Sequence, residues 1–209
     1  YSLSPDLHNF WFKKNNLRSN YSLIEIEKSQ ISQIVSKIRA KELHGINVTV
    51  PYKQEVIKHV DLIINDAKKT SSINTIYLND KNQIVGENTD VYGFDCSFIK
   101  KLEDKNLVEK SFFIVGAGGV APSVIYALAK KNIKKIFITN RTIAKAENIK
   151  KIFPFVKIIL WENINSIAQD MDIIINATSL GMKNGKDFNE VIKKLKPGVV
   201  YYDVIYNPL

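Results

Sequence analysis

Two periods of apolar residues alternate through the first hundred positions. Residues 21–26 alternate apolar and polar side chains and predict a strand. Ile31, Ile34, Val35 and Ile38 recur at i, i+3, i+4 and i+7, the apolar stripe of a helix. Residues 45–50 (GINVTV) predict a strand, after which Pro51 suits the first turn of a helix. Residues 73–78 predict a strand, 79–82 a turn and 83–86 a return strand. A helix is expected from Val91 to about Leu102, and a polar stretch follows it.

The rhythm then changes. Short apolar runs at 112–115, 135–139, 156–160, 172–177 and 199–204 predict five strands. They are separated by helical patterns near 121–131 and 143–153 and by polar stretches. Strands written as continuous apolar runs are covered on both faces, which argues for a parallel, doubly wound sheet. The expected architecture is α/β with two lobes that meet near residues 91–110, and a cleft between lobes is a common ligand site.

Composition narrows this picture. A chain of 209 residues is long enough to bury about 70% of its unfolded surface. With 45% hydrophobic and 24% charged residues it is globular rather than disordered. The lone Cys96 excludes an internal disulfide and a cysteine-cluster metal site. His8, His44 and His59 lack metal-ligand spacing, so no metal is expected. No apolar run approaches membrane-spanning length, and the first residues lack a signal-peptide pattern, so a cytoplasmic protein is expected. The net charge of +9 invites a nucleic-acid reading, but only three of the 30 basic residues are Arg (Arg18, Arg39, Arg141). The Lys residues are scattered in pairs with no interleaved aromatics, so neither nucleic acid nor membrane is expected as a partner. Residues 1–100 carry +2 and residues 101–209 carry +7, which directs the search for an anionic ligand to the second half.

That half contains Gly116-Ala117-Gly118-Gly119-Val120-Ala121 between an apolar strand and a helix. This is G-x-G-x-x-A in its dinucleotide-binding context: Gly116 for the tight turn, Gly118 for close approach to a pyrophosphate, Ala121 for helix packing. The second strand of the half ends in Asn140-Arg141-Thr142, with Lys145 a turn later and no carboxylate for a ribose 2′-hydroxyl. Arg141 offers a fork and Lys145 a point charge to a 2′-phosphate, so NADP(H) is expected to bind about one to two powers of ten more tightly than NAD(H).

The first lobe holds polar residues that packing does not explain. Ser2 and Ser4 are expected to point the same way from an extended segment; Asn47 and Thr49 share a strand face; Lys53 follows Pro51. Asn74-Thr75 interrupts an apolar strand, and Asn88-Thr89-Asp90 ends the return strand. Hydroxyls, amides, one ammonium and one carboxylate suit a small polyhydroxylated acid.

The segments SLSPDLHN (2–9), NVTVPYK (47–53), INT (73–75), GENTDVYGF (86–94), GAGGVA, NRT and NATSLGM (176–182) together resemble the shikimate dehydrogenases, in order and spacing across nearly the whole chain. The resemblance implies NADPH-linked reduction of 3-dehydroshikimate to shikimate, in aromatic amino-acid biosynthesis. It implies a substrate-binding domain over 1–95 and an NADP-binding Rossmann domain over 96–209. By motif, Lys53 is similar to the catalytic lysine and Asp90 to its partner; Ser2, Ser4, Thr49, Asn74 and Asp90 are similar to substrate contacts, with Asn47 nearby. In DVIY, Tyr206 resembles a substrate-side tyrosine and Val204 a residue beside the nicotinamide. Thr178 and Ser179 match the segment beneath the cofactor. The family ordinarily has a G-x-P strand before SLSP and helices after DVIY. This sequence begins at Tyr1 and stops at Leu209, so a chain lacking both is expected.

Ketone reduction needs a hydride at carbon and a proton at oxygen. Lys53 is expected to give that proton in reduction and take it in oxidation, or else to act as an electrostatic clamp. A quinate/shikimate dehydrogenase with relaxed cofactor use, a non-catalytic ligand-sensing relative and an unrelated NADP-binding protein remain alternatives at this point. The expected assembly is a monomer or homodimer.

Overall fold

The computed structural model describes residues 2–102, 106–182 and 187–206. The first lobe comprises α1 (Ser4–Lys14), α2 (Ile31–Arg39), β1 (Gly45–Asn47), β2 (Leu62–Ile63), α3 (Asp66–Thr70), β3 (Thr75–Leu78) and β4 (Ile84–Glu87). Its sheet runs β1-β3-β4-β2, with β1, β3 and β4 antiparallel and β2 parallel to β4. The helical stripe is realised in α2, where Ile31, Val35 and Ile38 are buried. They pack with Val56, Ala67, Ile73, Ile76 and Ile84 into a small core.

Three local expectations fail here. Residues 21–26 form no strand. Asn9 supplies the partners a ladder would have supplied: its Oδ1 accepts from Tyr21 N at 2.8 Å and its Nδ2 donates to Tyr21 O at 2.9 Å. Ser4 is not in an extended segment but opens α1, with Pro5 in the first turn. The two hydroxyls of Ser2 and Ser4 nonetheless meet at 3.1 Å. Pro51 does not begin a helix: the Val50–Pro51 peptide is cis, Tyr52 N donates to Thr49 O, and helical turns resume only at Glu55–His59 as a 3-10 segment.

α4 (Asp90–Ser97) joins the lobes. It is shorter than the pattern predicts, because Phe98 leaves helical geometry and packs its ring 4.5 Å from that of Tyr202. Ile99–Lys101 continues as a 3-10 turn.

The second lobe comprises β5 (Phe112–Val115), α5 (Ala121–Lys130), β6 (Ile136–Thr139), α6 (Ile143–Ile152), β7 (Lys157–Ile158), α7 (Ile164–Ala168), β8 (Ile173–Asn176) and β9 (Val200–Asp203). All five strands are parallel, in the order β7-β6-β5-β8-β9. β5 shows why. Phe112 and Ile114 enter the apolar cluster under α4 and α5, while Phe113 and Val115 enter the one under α7. A strand covered on both faces needs a crossover helix on each. β7 is shorter than expected because it is an edge strand with an exposed Lys157. The strand order reverses between β5 and β8, and in such sheets the crevice beyond the strands' carboxyl ends binds ligands. No described helix is long and apolar enough to cross a membrane.

Candidate active site

The loop after β5 lies in that crevice. Gly116 has φ +110°, and a Cβ there would stand 2.7 Å from the carbonyl of Ala177, so only glycine fits. Gly118 is exposed, and Val120 leads into the ten-residue α5. The loop is tied to the end of β6: Asn140 Oδ1 accepts from Ala117 N at 3.0 Å, and Asn140 Nδ2 donates to Thr142 O at 2.8 Å. Arg141 and Lys145 are exposed and form no ion pair with another described residue. A bare-backbone loop before a helix, with unpaired cations at the next strand end, fits a dinucleotide carrying an extra phosphate.

Asn140, Arg141, Ile143, Leu160, Trp161 and Glu162 help to line a surface cavity of about 230 Å³ at this end. Ile143, Leu160 and Trp161 give it apolar walls that suit an aromatic base. Leu160 and Trp161 were not anticipated; their signal was their place just after the third strand of the sheet.

On the other side of the glycine loop, Asn176 is fully buried and organises the loop after β8. Its Oδ1 accepts from the backbone N–H and the hydroxyl of Thr178, and its Nδ2 donates to Leu180 O and to Asp203. Asp203 in turn accepts from Ile205 N at 2.8 Å and from the Tyr201 hydroxyl at 2.8 Å. Thr178-Ser179 and Val204–Tyr206 are therefore held as neighbours. Burial raises the Tyr201 phenol above its ordinary pKa, and donation to Asp203 raises it further.

The first lobe contributes its polar residues from single positions far apart in sequence. Lys53 Nζ donates to Asp90 Oδ2 at 2.7 Å, with side chains 11% and 21% exposed, so the pair is largely shielded yet reachable. Asn74 Nδ2 donates to Asp90 Oδ1 at 2.8 Å, fixing the carboxylate from its other oxygen. Asn74 Oδ1 accepts from Thr89 N and from the Thr75 hydroxyl. Asn47 Nδ2 donates to Thr75 Oγ1, and Asn47 Oδ1 accepts from the Tyr21 hydroxyl at 3.1 Å. Tyr21 also meets Ser4 and Tyr206. Burial raises its phenol's pKa, the Ser4 hydrogen bond opposes that, and nearby Tyr206 adds to the rise.

One hydrogen-bonded chain thus runs from Tyr21 through Asn47, Thr75, Asn74 and Asp90 to Lys53, and the Ser2–Ser4 hydroxyl pair stands near its Tyr21 end. Tyr206 stands at its Tyr21 end, and Thr49 is exposed in the turn that carries Lys53 into place. Tyr21 is an addition to the sequence reading, while Thr75 and Thr89 stood in its polar clusters without an assigned role. Tyr21 was hidden by the expectation of a strand.

The two lobes meet at the lysine. A Cβ on Gly119 would lie 3.3 Å from Lys53 Cδ and 3.4 Å from its Cβ, so the lysine stem rests against the glycine loop.

Comparison with known proteins places the chain in a family. Residues 1–76 match the family described as shikimate dehydrogenase substrate binding domain, and residues 98–198 match shikimate / quinate 5-dehydrogenase. The shikimate dehydrogenase (NADP(+)) of Pelagibacter ubique is 43% identical over 209 residues, covering 100% of this chain and 76% of that protein. The crystal structure of shikimate dehydrogenase from Aquifex aeolicus superposes with a TM-score of 0.86 at 32% identity, covering 99% of this chain and 75% of that one. A shikimate dehydrogenase in complex with NADP+ gives a TM-score of 0.87 at 33% identity, covering 100% and 74%.

Proposed function

This chain belongs to the shikimate dehydrogenase family, and on that premise we propose that it is an NADP-dependent oxidoreductase that reduces 3-dehydroshikimate to shikimate. The observation that carries the mechanism is the Lys53–Asp90 pair resting on Gly119 of the nucleotide loop. NADPH, when bound, supplies a hydride to the ketone carbon.

The remaining steps belong to this chain. Gly116, Ala117, Gly118, Gly119 and Val120 present backbone to the pyrophosphate. Asn140 and Thr142 shape the turn, and Arg141 and Lys145 face the 2′-phosphate. Thr178, Ser179 and Val204 border the nicotinamide end. Lys53 Nζ hands its proton to the substrate oxygen in reduction and recovers it in oxidation. Asp90, clamped by Asn74, aims the ammonium. Ser2 and Ser4 form a hydroxyl set near the opposite end of the network, suited to a carboxylate, with Thr49 and Tyr206 beside the ring and the Tyr21 hydroxyl held by its bond to Asn47. The hydride site is thus at the interlobe seam and the acid-binding site in the first lobe.

With this reading go a substrate domain over 1–95 and a dinucleotide domain over 96–209, α4 crossing the boundary between them. A cytoplasmic monomer or homodimer goes with this reading. The deciding assay offers the purified protein shikimate with NADP+, then quinate with NADP+, then shikimate with NAD+. The expected result is turnover in the first reaction far above the other two. No NADP+ reduction with shikimate would overturn the proposal, and equal use of quinate would move it to a quinate/shikimate dehydrogenase.

A further inference from the structure

Four buried polar side chains that take no part in the proposed chemistry meet where the lobes join. Thr70, Ser72 and Ser123 are fully buried, and Asn88 is 4% exposed. Asn88 Nδ2 donates to Ser72 O at 2.8 Å and to Ser123 Oγ at 2.9 Å, and lies 3.3 Å from Thr70 Oγ1. Asn88 Oδ1 accepts from Val91 N at 3.3 Å, inside the first turn of α4. Ser72 Oγ crosses the seam and donates to Gly119 O at 3.0 Å. Next to it, Ile73 N donates to Lys53 O at 2.8 Å.

A buried amide and hydroxyls cost free energy unless each finds a partner, and a fully partnered network admits few other arrangements. The connectivity of this one is specific. Asn88 stands two residues before Asp90, Ser72 two residues before Asn74, and Ser123 near the start of α5. Ser72 grips Gly119, the glycine on which the Lys53 stem rests, so the cluster touches every segment that carries the proton donor, its carboxylate and the nucleotide loop. Resting on the dehydrogenase reading above, we propose that Asn88, Ser72 and Ser123 are positioning residues. They weld α3, α4 and α5 into one unit, so that the Lys53–Asp90 pair keeps a fixed register with the cofactor loop.

Ser72→Ala and Ser123→Ala each remove one hydroxyl from this network and touch neither substrate nor cofactor. Each variant is assayed beside the wild type for turnover, for both Michaelis constants, for the isotope effect with NADPH deuterated at the transferred position, and for active-site concentration by cofactor titration. A fall of about tenfold in kcat per active site is expected, within the roughly hundredfold that a misplacement of about 1 Å can cost. Both Michaelis constants should stay within about twofold, and the isotope effect should grow as hydride transfer becomes more rate-limiting. An unchanged kcat per active site, or a loss fully explained by inactive protein, would overturn the inference. A wild type that does not oxidise shikimate at all would instead sink the dehydrogenase reading.

Discussion

The nucleotide lobe places its proposed contacts with contiguous runs of backbone: 116–120, 140–142 and 178–179, each at the carboxyl end of a buried parallel strand. The substrate lobe uses single side chains at 2, 4, 47, 53, 74 and 90, brought together by hydrogen bonds that span up to 37 positions. Their cores differ in the same sense. The nucleotide sheet is covered by clusters of twenty-two and eight buried apolar residues, and the substrate sheet by a cluster of eight. A deep core holds strand ends rigidly enough for bare backbone to serve as a binding surface. A shallow one leaves alignment to polar networks, in which each member depends on its partners. Phosphate binding by a loop is thus robust to the loss of any one side chain, whereas proton delivery by one ammonium is not.

The sharpest way to break that contrast is Lys53→Ala. A positioned general acid contributes typically about 10²–10⁴-fold, so turnover should fall by that factor. NADPH affinity, followed by fluorescence titration, should hold within about twofold, because the loop contacts are backbone. Turnover within a few-fold of wild type would mean that the Lys53–Asp90 pair is structural.

Arg141→Ala asks whether a side chain matters in the lobe that otherwise relies on backbone. A charge-assisted hydrogen bond is worth roughly 1.5–3 kcal/mol, and Arg141 is exposed, so the low end applies. The Michaelis constant for NADPH should rise about tenfold and that for NADH should stay nearly unchanged. Equal changes for both cofactors would remove Arg141 from the 2′-phosphate site.

Legibility from sequence follows the same division. The central strands β5, β6 and β8 were readable because burial on both faces writes each as an apolar run, the edge strands β7 and β9 because they repeat that rhythm although partly exposed, and the glycine loop because its chemistry is contiguous. In the substrate lobe, Ser2, Asn47, Asn74 and Asp90 were noticed one by one, but the connections among them were not, since hydrogen bonds between distant positions leave no periodic trace. Residues 21–26 misled because Leu23 and Ile24 are exposed, so their pattern marks no sheltered sheet face, and the backbone of Tyr21 is bonded by the Asn9 amide rather than by a neighbouring strand. The two-residue β2 is below the length at which any period shows. Asn88 sat inside the GENTDVYGF segment, yet only burial separates its inward amide from the partly exposed Asp90 carboxylate.

The smallest expected effect lies at the opposite end of the nucleotide sheet, where charge serves stability alone. Asp172 precedes β8 and Ser111 precedes β5. Asp172 Oδ2 accepts from Ser111 N and Oγ, both at 2.8 Å, and its Oδ1 accepts from Lys196 Nζ at 2.8 Å. Burial pushes this carboxyl up, but the Lys196 ammonium and the two Ser111 donors outweigh it and hold the pKa well below the usual carboxylate range. A carboxyl whose pKa is depressed by folding stabilises the folded state at pH values above its unfolded pKa, near 4, and that contribution drains away as pH falls toward the folded value. Lys196→Met should therefore lower the urea midpoint at pH 7, with a deficit that narrows steadily below about pH 4. The side chains of Lys196 and Asp172 are 35% and 30% exposed, so screening keeps the deficit to about 1 kcal/mol or less. Turnover per folded molecule should not change, because Asp172 sits at the amino ends of strands whose carboxyl ends carry the site. A deficit that stays constant from pH 7 to pH 3 would show that Lys196 acts through packing rather than charge. A change in turnover would show that the two ends of the sheet are coupled, which would undo the separation of stability from function on which the contrast between the lobes depends.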